Sequence, residues 1–170
     1  MEERLAVLVS EAEIKARVEE LAAEIRTAFE GQGLTVVGLL EDSFVFMADL
    51  IRAIDVPLQC CFMKASKHQS GGHTEIVYTT EFDPHSTTVL LVGGILDTGV
   101  TLDYLVKQLT ARGAKMVKSC VLVDKPDFRT TDFSPDFVGF TRAEEMVIGY
   151  GLGLANGYRY LRYLAELKQS

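Results

Sequence analysis

The sequence predicts an α/β protein built on a parallel sheet flanked by helices. Three observations carry this expectation. Apolar, β-branched runs of strand length at 34–40, 57–63, 89–92 and 116–123 alternate with segments of helical period. These runs are nearly continuous rather than alternating, as expected of strands covered on both faces. Polar segments at 40–43, 64–75, 93–101 and 124–126 follow the strand ends. That edge is where an open α/β sheet gathers its ligands.

Each element has a local cause. Ser10-Glu11-Ala12-Glu13 is a capping-box pattern. Behind it Ile14, Val18, Leu21, Ala22, Ile25 and Phe29 recur at helical spacing, and Gly31 and Gly33 stop the helix. The run 34–40 is a strand. Residues 43–54 read as a helix with Phe44, Met47, Ala48 and Ile51 on one side. A strand is expected at 57–63. The polar stretch 64–85 is rich in Gly and Ser, with one short strand near 75–80, and long segments of this kind often act as lids. Strand 89–92 is expected to stop at a small-residue turn, Gly93-Gly94. A helix at 101–112, closed by Gly113, leads to a strand at 116–123. Short strands at 137–140 and 145–148 precede a final helix from about 156 to 167.

Composition excludes several classes. The chain has 170 residues, 48% hydrophobic and 24% charged, which suits one domain spanning 1–170. A net charge of −7 without a basic run argues against a nucleic-acid groove. No apolar run approaches the ~20 residues that cross a bilayer. The acidic N-terminus, Met-Glu-Glu-Arg, lacks a signal-peptide core. Three cysteines without zinc spacing, Cys60, Cys61 and Cys120, fit a reducing cytoplasm. Adjacent in a strand, Cys60 and Cys61 face opposite sides and read as small hydrophobes. His68, His73 and His85 fall in the polar stretch with no supporting metal-ligand spacing.

The stretch 89–102 holds the densest chemistry. A buried strand leads into Asp97, Thr98, Gly99 and Thr101 at the start of a helix. The first backbone N–H groups of a helix have no intrahelical acceptor, and its dipole favours an anion, so this is a candidate phosphate loop. Gly94 and Gly99 imitate a Walker A loop, but the lysine position is Val100. Gly149, Gly151 and Gly153 imitate a dinucleotide fingerprint without its spacing or position.

With these residues in place, the chain resembles the type I phosphoribosyltransferases, and in detail the bacterial hypoxanthine-guanine phosphoribosyltransferases. The matching stretches are Phe46-Met47-Ala48-Asp49-Leu50, Ile95-Leu96-Asp97-Thr98-Gly99 with Thr101-Leu102, Leu122-Val123-Asp124-Lys125-Pro126, Phe137-Val138-Gly139-Phe140 and Val147-Ile148-Gly149-Tyr150-Gly151-Leu152. The resemblance implies the phosphoribosyltransferase type I fold, with a small hood from the N-terminal segment and about 124–170. It implies a reaction of a purine base with phosphoribosyl pyrophosphate, a magnesium requirement, and a homo-oligomer, dimer or tetramer. It also implies that Asp97, Thr98, Gly99, Val100 and Thr101 hold a 5-phosphate, with Asp97 placed to accept the N7 proton. Lys125, Met146 and Val147 then face the base, and Arg159 meets pyrophosphate.

Other positions depart from the family pattern. Two carboxylates expected at the end of the central strand are Gly93 and Gly94. A Lys-Gly pair beside pyrophosphate is Glu41-Asp42. The aromatic that stacks on the base is Met146, a late aspartate is Gly153, and a Ser-Tyr lid pair aligns with Lys67-His68. A like charge at ~4 Å costs about 4 kcal/mol at an effective dielectric of 20, and a lost stacking partner about 1–3 kcal/mol. These departures lead to the expectation of a protein that binds a purine nucleotide or other phosphate monoester with weak or absent transferase activity. The alternative is a working purine-salvage transferase with replacement carboxylates drawn from Glu41, Asp42 or Asp103.

Overall fold

A computed structural model describes residues 4–67, 74–78, 82–153 and 157–168. The main sheet has six strands in the order β4-β3-β2-β5-β6-β7. They are β2 (Leu34–Leu40), β3 (Leu58–Lys67), β4 (Thr74–Tyr78), β5 (Thr88–Leu96), β6 (Met116–Asp124) and β7 (Phe137–Thr141). Five run parallel, and β4 joins the edge antiparallel to β3. Three helices, α1 (Glu11–Ala28), α2 (Phe44–Ile54) and α3 (Val100–Ala111), flank the sheet. A second sheet, in the order β1-β9-β8, joins β1 (Arg4–Val9) to β9 (Leu164–Lys168) and β8 (Val147–Ile148), all antiparallel.

Alternation along the strands splits the core between two faces. Val36, Leu90, Val92, Cys120 and Leu122 meet α1 and α2 through Leu21, Ile25, Phe46 and Leu50. Val37, Val89, Leu91 and Val121 meet Leu102, Leu105 and Leu109 of α3. Central strands are therefore buried on both sides, which is why their sequences run continuously apolar. The N-terminus of α1 carries the complete capping box. Glu13 N–H donates to Ser10 Oγ at 3.3 Å, and Ser10 N–H donates to Glu13 Oε2 at 2.8 Å. Leu90 lies fully buried in the middle of β5. Leu90→Ala is expected to cost about 2–5 kcal/mol of stability, since the sheet above and below cannot collapse into the gap. Urea unfolding followed by circular dichroism measures it.

Four expectations change. The strand expected to stop at Gly93 runs on to Leu96, because Gly93 pairs with Val121 and Ile95 with Val123. Gly94, inside the continuing strand, marks a close approach of the Asp42 backbone rather than a turn. The final helix is absent. Gly157 and Tyr158 have φ of +119° and +68°, incompatible with a helix, and the chain then extends to pair with both β1 and β8. The start of that expected helix, Asn156, lies outside the described residues. Strand β1 was not anticipated, since its partner lies at the far end of the chain. Cys60 and Cys61 do face opposite sides, but only Cys61 is buried. Among the described residues no helix is long and apolar enough to cross a membrane.

Candidate functional site

The carboxyl ends of β2, β5 and β6 bring three loops to one edge of the sheet. The loop after β5 is three residues, 97–99. Asp97 Oδ1 accepts the Thr98 N–H at 2.6 Å, and Gly99, at φ +83°, is the N-cap of α3 without a side-chain cap. The first turn of α3 thus presents backbone N–H groups with no side-chain acceptor from its cap, the arrangement an anion needs. Asp97, Thr98, Gly99, Val100 and Thr101 lie together here, with Val100 exposed.

The loop after β6 braces this one. Lys125 N–H donates to Leu96 O at 2.9 Å, which sets the two loops side by side. Thr98 O accepts from Thr130 N–H at 3.0 Å and from the hydroxyls of Thr130 and Thr131 at 3.3 and 3.4 Å. Arg129 pairs with Asp124, half-buried, and donates to Asp97 O at 2.9 Å. Sequence reading missed Arg129, Thr130 and Thr131. Nothing in their local pattern separates them from an ordinary polar turn, and only the crossing from β6 to β5 puts them against the loop.

Lys125 reads as an ordinary turn lysine in isolation, yet it is 4% exposed. Its Nζ donates to Glu145 O at 2.6 Å and lies 4.4 Å from the centre of the Phe128 ring. That carbonyl precedes Met146 and Val147, so the lysine is aimed at the segment the resemblance places against a base. Val147 is buried at the start of β8, and half-buried Met146 packs toward Ile148 and Ala165. Both lie next to the Lys125 contact.

The loop after β2 carries the departed pair, Glu41 and Asp42. Ser43 anchors it, donating its hydroxyl to Leu39 O at 2.7 Å. Arg159 Nη1 donates to Asp42 Oδ1 at 2.5 Å and to Gly151 O at 2.6 Å. Glu41 lies 3.8 Å from Arg159 and 3.1 Å from Lys64. The Lys64 hydrogen bond, then the charges of Lys64 and Arg159, hold its carboxyl below the ordinary value. The two acids expected to repel an anion are thus matched by two cations, Lys64 and Arg159.

The glycine departures are tightly enclosed. A Cβ at Gly94 would lie 2.6 Å from Asp42 O and 2.7 Å from Asp42 Cβ. One at Gly153 would lie 2.4 Å from Gly157 O and 2.6 Å from Arg159 Cγ. At Gly93 the nearest atoms are Leu102 and Val121 side-chain carbons at 3.5 Å, an ordinary contact. Gly93, Gly94 and Gly153 supply no side-chain oxygen. Among the described residues no grouping of three or more His, Cys, Asp and Glu could hold a metal ion. The residues here do not fit a magnesium ion held by side chains.

Other candidates lie elsewhere. His85 packs beside Gly113, at the opposite edge of the sheet before β5 and β6 begin. His68 and His73 lie outside the described residues, as does much of the expected lid, of which β3 and β4 take residues 64–67 and 74–78. A cavity of about 810 Å³ opens between α1 and α2. Arg159 lines it, whereas Asp97, Thr98 and Lys125 do not. The chemistry of the loops, rather than cavity size, marks the site.

Comparison with known proteins bears on the family and the fold. The phosphoribosyl transferase domain model matches residues 8–153. The chain is 39% identical over 173 residues to the hypoxanthine phosphoribosyltransferase of Salmonella typhimurium, covering 98% of this chain and 97% of that one. It is 39% identical over 166 residues to the hypoxanthine-guanine phosphoribosyltransferase of Bacillus subtilis, covering 95% and 92%. A crystal structure of a hypoxanthine-guanine phosphoribosyltransferase from Bacillus anthracis, with HEPES in its active site, superposes with a TM-score of 0.91. That pair is 33% identical, over 99% of this chain and 100% of the other.

Proposed function

The chain belongs to the phosphoribosyl transferase family, and from that premise we propose that it acts on a purine of the hypoxanthine-guanine class. A purine base and phosphoribosyl pyrophosphate enter, and the purine nucleotide and pyrophosphate leave. The observation that carries this reading is the junction of β5, α3 and β6. It sets an uncapped helix N-terminus beside a buried lysine aimed at the 145–147 segment. A nucleotide laid across this edge has its 5-phosphate on Asp97–Thr101 and its base against Lys125, Met146 and Val147. Asp97 accepts the proton that the base loses at N7. Arg159 faces the pyrophosphate end. The full span 1–170 is one domain in this reading, with the N-terminal segment and about 124–170 as its hood. It works as a homo-oligomer, dimer or tetramer, in the cytoplasm. Any magnesium used is assigned to the substrate's pyrophosphate oxygens, since magnesium readily binds through substrate phosphates.

A second reading keeps nucleotide binding but makes turnover weak or absent. It is favoured by Gly93, Gly94, Gly153 and Met146, which remove carboxylates and a stacking ring. The names of the relatives favour turnover, and the match of Glu41 and Asp42 with Lys64 and Arg159 removes part of the repulsion argued from sequence. The assay is nucleotide formation from phosphoribosyl pyrophosphate with hypoxanthine or guanine. Rates of order 1 s⁻¹ or more are expected. Calorimetric binding of GMP with no product from any common purine would decide for the second reading.

Lys125 gives a specificity test. A lysine donates to a 6-oxo group and meets a 6-amino group with a donor against a donor. Lys125→Met is expected to lower kcat/KM for hypoxanthine by about tenfold or more, the value of one charge-assisted hydrogen bond. Activity with adenine should stay where it was. An unchanged hypoxanthine rate would remove Lys125 from the base site.

A further inference from the structure

The side chain missing from Gly94 is replaced in space by a neighbour. A Cβ built on Gly94 falls 2.7 Å from the Cβ of Asp42. Asp42, through its Cβ and its carbonyl oxygen, therefore occupies the space that a side chain at 94 would need. The same exchange occurs at Gly153, where Arg159 Cγ lies 2.6 Å from the missing Cβ. The two glycines make room for the Asp42–Arg159 pair, joined at 2.5 Å and fixed to Gly151 O by a 2.6 Å hydrogen bond. The loop after β2 thus sets the Asp42 side chain against the end of β5, with its carboxylate held by Arg159.

The chemistry of the edge gives this carboxylate a task. A nucleotide bridging Asp97–Thr101 and Lys125 must lay its sugar between the two. Vicinal hydroxyls are donors, and a carboxylate with two oxygens can accept both, whereas Gly93, Gly94 and Ile95 offer no side-chain acceptor. We propose that Asp42 is the sugar-recognition residue of this site, its carboxylate set by Arg159 to accept the ribose 2′- and 3′-hydroxyls at the place a side chain on residue 94 would otherwise fill. This deepens the purine nucleotide reading and rests on it. It also means that adding an acid at position 94 is no simple repair. Gly94→Asp would drive its Cβ against the Asp42 backbone and displace the group already there.

The test compares GMP with its 2′,3′-dideoxy analogue by calorimetry on the wild type and on Asp42→Asn, which keeps the shape of the side chain. The wild type should bind GMP about tenfold or more tighter than the analogue, the expected value of a hydrogen bond to a charged acceptor. Asp42→Asn should bring the GMP affinity down to that of the analogue while leaving the analogue's own affinity in place. An effect transmitted through a released Arg159 would instead move both ligands together, and that outcome overturns the proposal. So does a wild type that binds both ligands equally, which leaves the nucleotide-site reading standing. A wild type that binds neither ligand removes that reading and this inference with it. Asp42→Ala repeats the comparison without any residual amide hydrogen bond, and discrimination that survives in it also overturns the assignment.

Discussion

Asp97→Asn lowers kcat for nucleotide formation by about 10²–10⁴-fold, the usual worth of a positioned general base. The substitution isolates the charge. Asp97 is exposed, and its Oδ1 accepts the Thr98 N–H at 2.6 Å within its own loop. The asparagine side-chain oxygen can accept the same bond, and the Asp97 carbonyl still receives Arg129. The loop keeps its shape, so stability should change by no more than about 0.5 kcal/mol. What disappears is the charge that, on the proposed reading, takes the proton from the base. Steady-state kinetics with hypoxanthine and guanine, paired with urea unfolding, measure both quantities. A kcat within a factor of about three of the wild type would take Asp97 out of the chemistry. A large drop in both kcat and stability would make its role structural.

Gly99→Val is expected to damage the phosphate end most. Gly99 sits at φ +83°, a conformation that costs a residue bearing a side chain roughly 1–2 kcal/mol. There is no space for the side chain either. A Cβ would lie 2.4 Å from Thr131 Oγ1 and 2.9 Å from Arg129 Cδ, and Arg129 is held by Asp124 and by the Asp97 carbonyl. Relief requires lifting the 129–131 segment off the loop or turning the first peptide of α3. Either change disperses the N–H groups to which the proposed function assigns the phosphate. Affinity for GMP should fall about a hundredfold, and stability by about 2–4 kcal/mol, within the range of strained-backbone substitutions. Gly33→Ala is the control, since nothing lies within 4 Å of its Cβ and its φ is ordinary. It should leave GMP binding unchanged.

Much of the fold was legible because its causes are local. The capping box at Ser10–Glu13 fixes the start of α1 with side chains three residues apart. The β5 run announces burial on both faces by being apolar at every position. The helical spacing of Phe44, Met47, Ala48 and Ile51 places α2 without any knowledge of β2, but it misplaces the buried face, which is Phe46, Met47, Leu50 and Ile54 while Phe44 and Ala48 are exposed. The motif around Asp97–Thr101 was equally visible, since strand, loop and helix N-terminus follow one another in sequence. The missed elements share a different cause. β1 and β9 are short, partly exposed strands whose pairing joins the two ends of the chain. Neither carries a pattern that its neighbours reinforce, and the charged, aromatic segment before β9 has the composition of a helix surface. Its backbone at Gly157 and Tyr158 decides otherwise.

The sequence by itself determined the α/β class, the strand–loop–helix junction at Asp97–Thr101 and the family, because each is encoded by residues close together or by motifs kept in order. It also displayed the departures at Glu41, Asp42, Gly93, Gly94 and Gly153, but only as separate substitutions, and read separately they point to loss. Tertiary structure alone decided that they belong together. Gly94 leaves the space that Asp42 fills, Gly153 leaves the space that Arg159 crosses, and the two side chains meet as an ion pair. Residues 42 and 94 are far along the chain from each other and from 153 and 159, and charge compensation depends on distance in space. Only the packing of the loops after β2 and β8 against the end of β5 sets that distance.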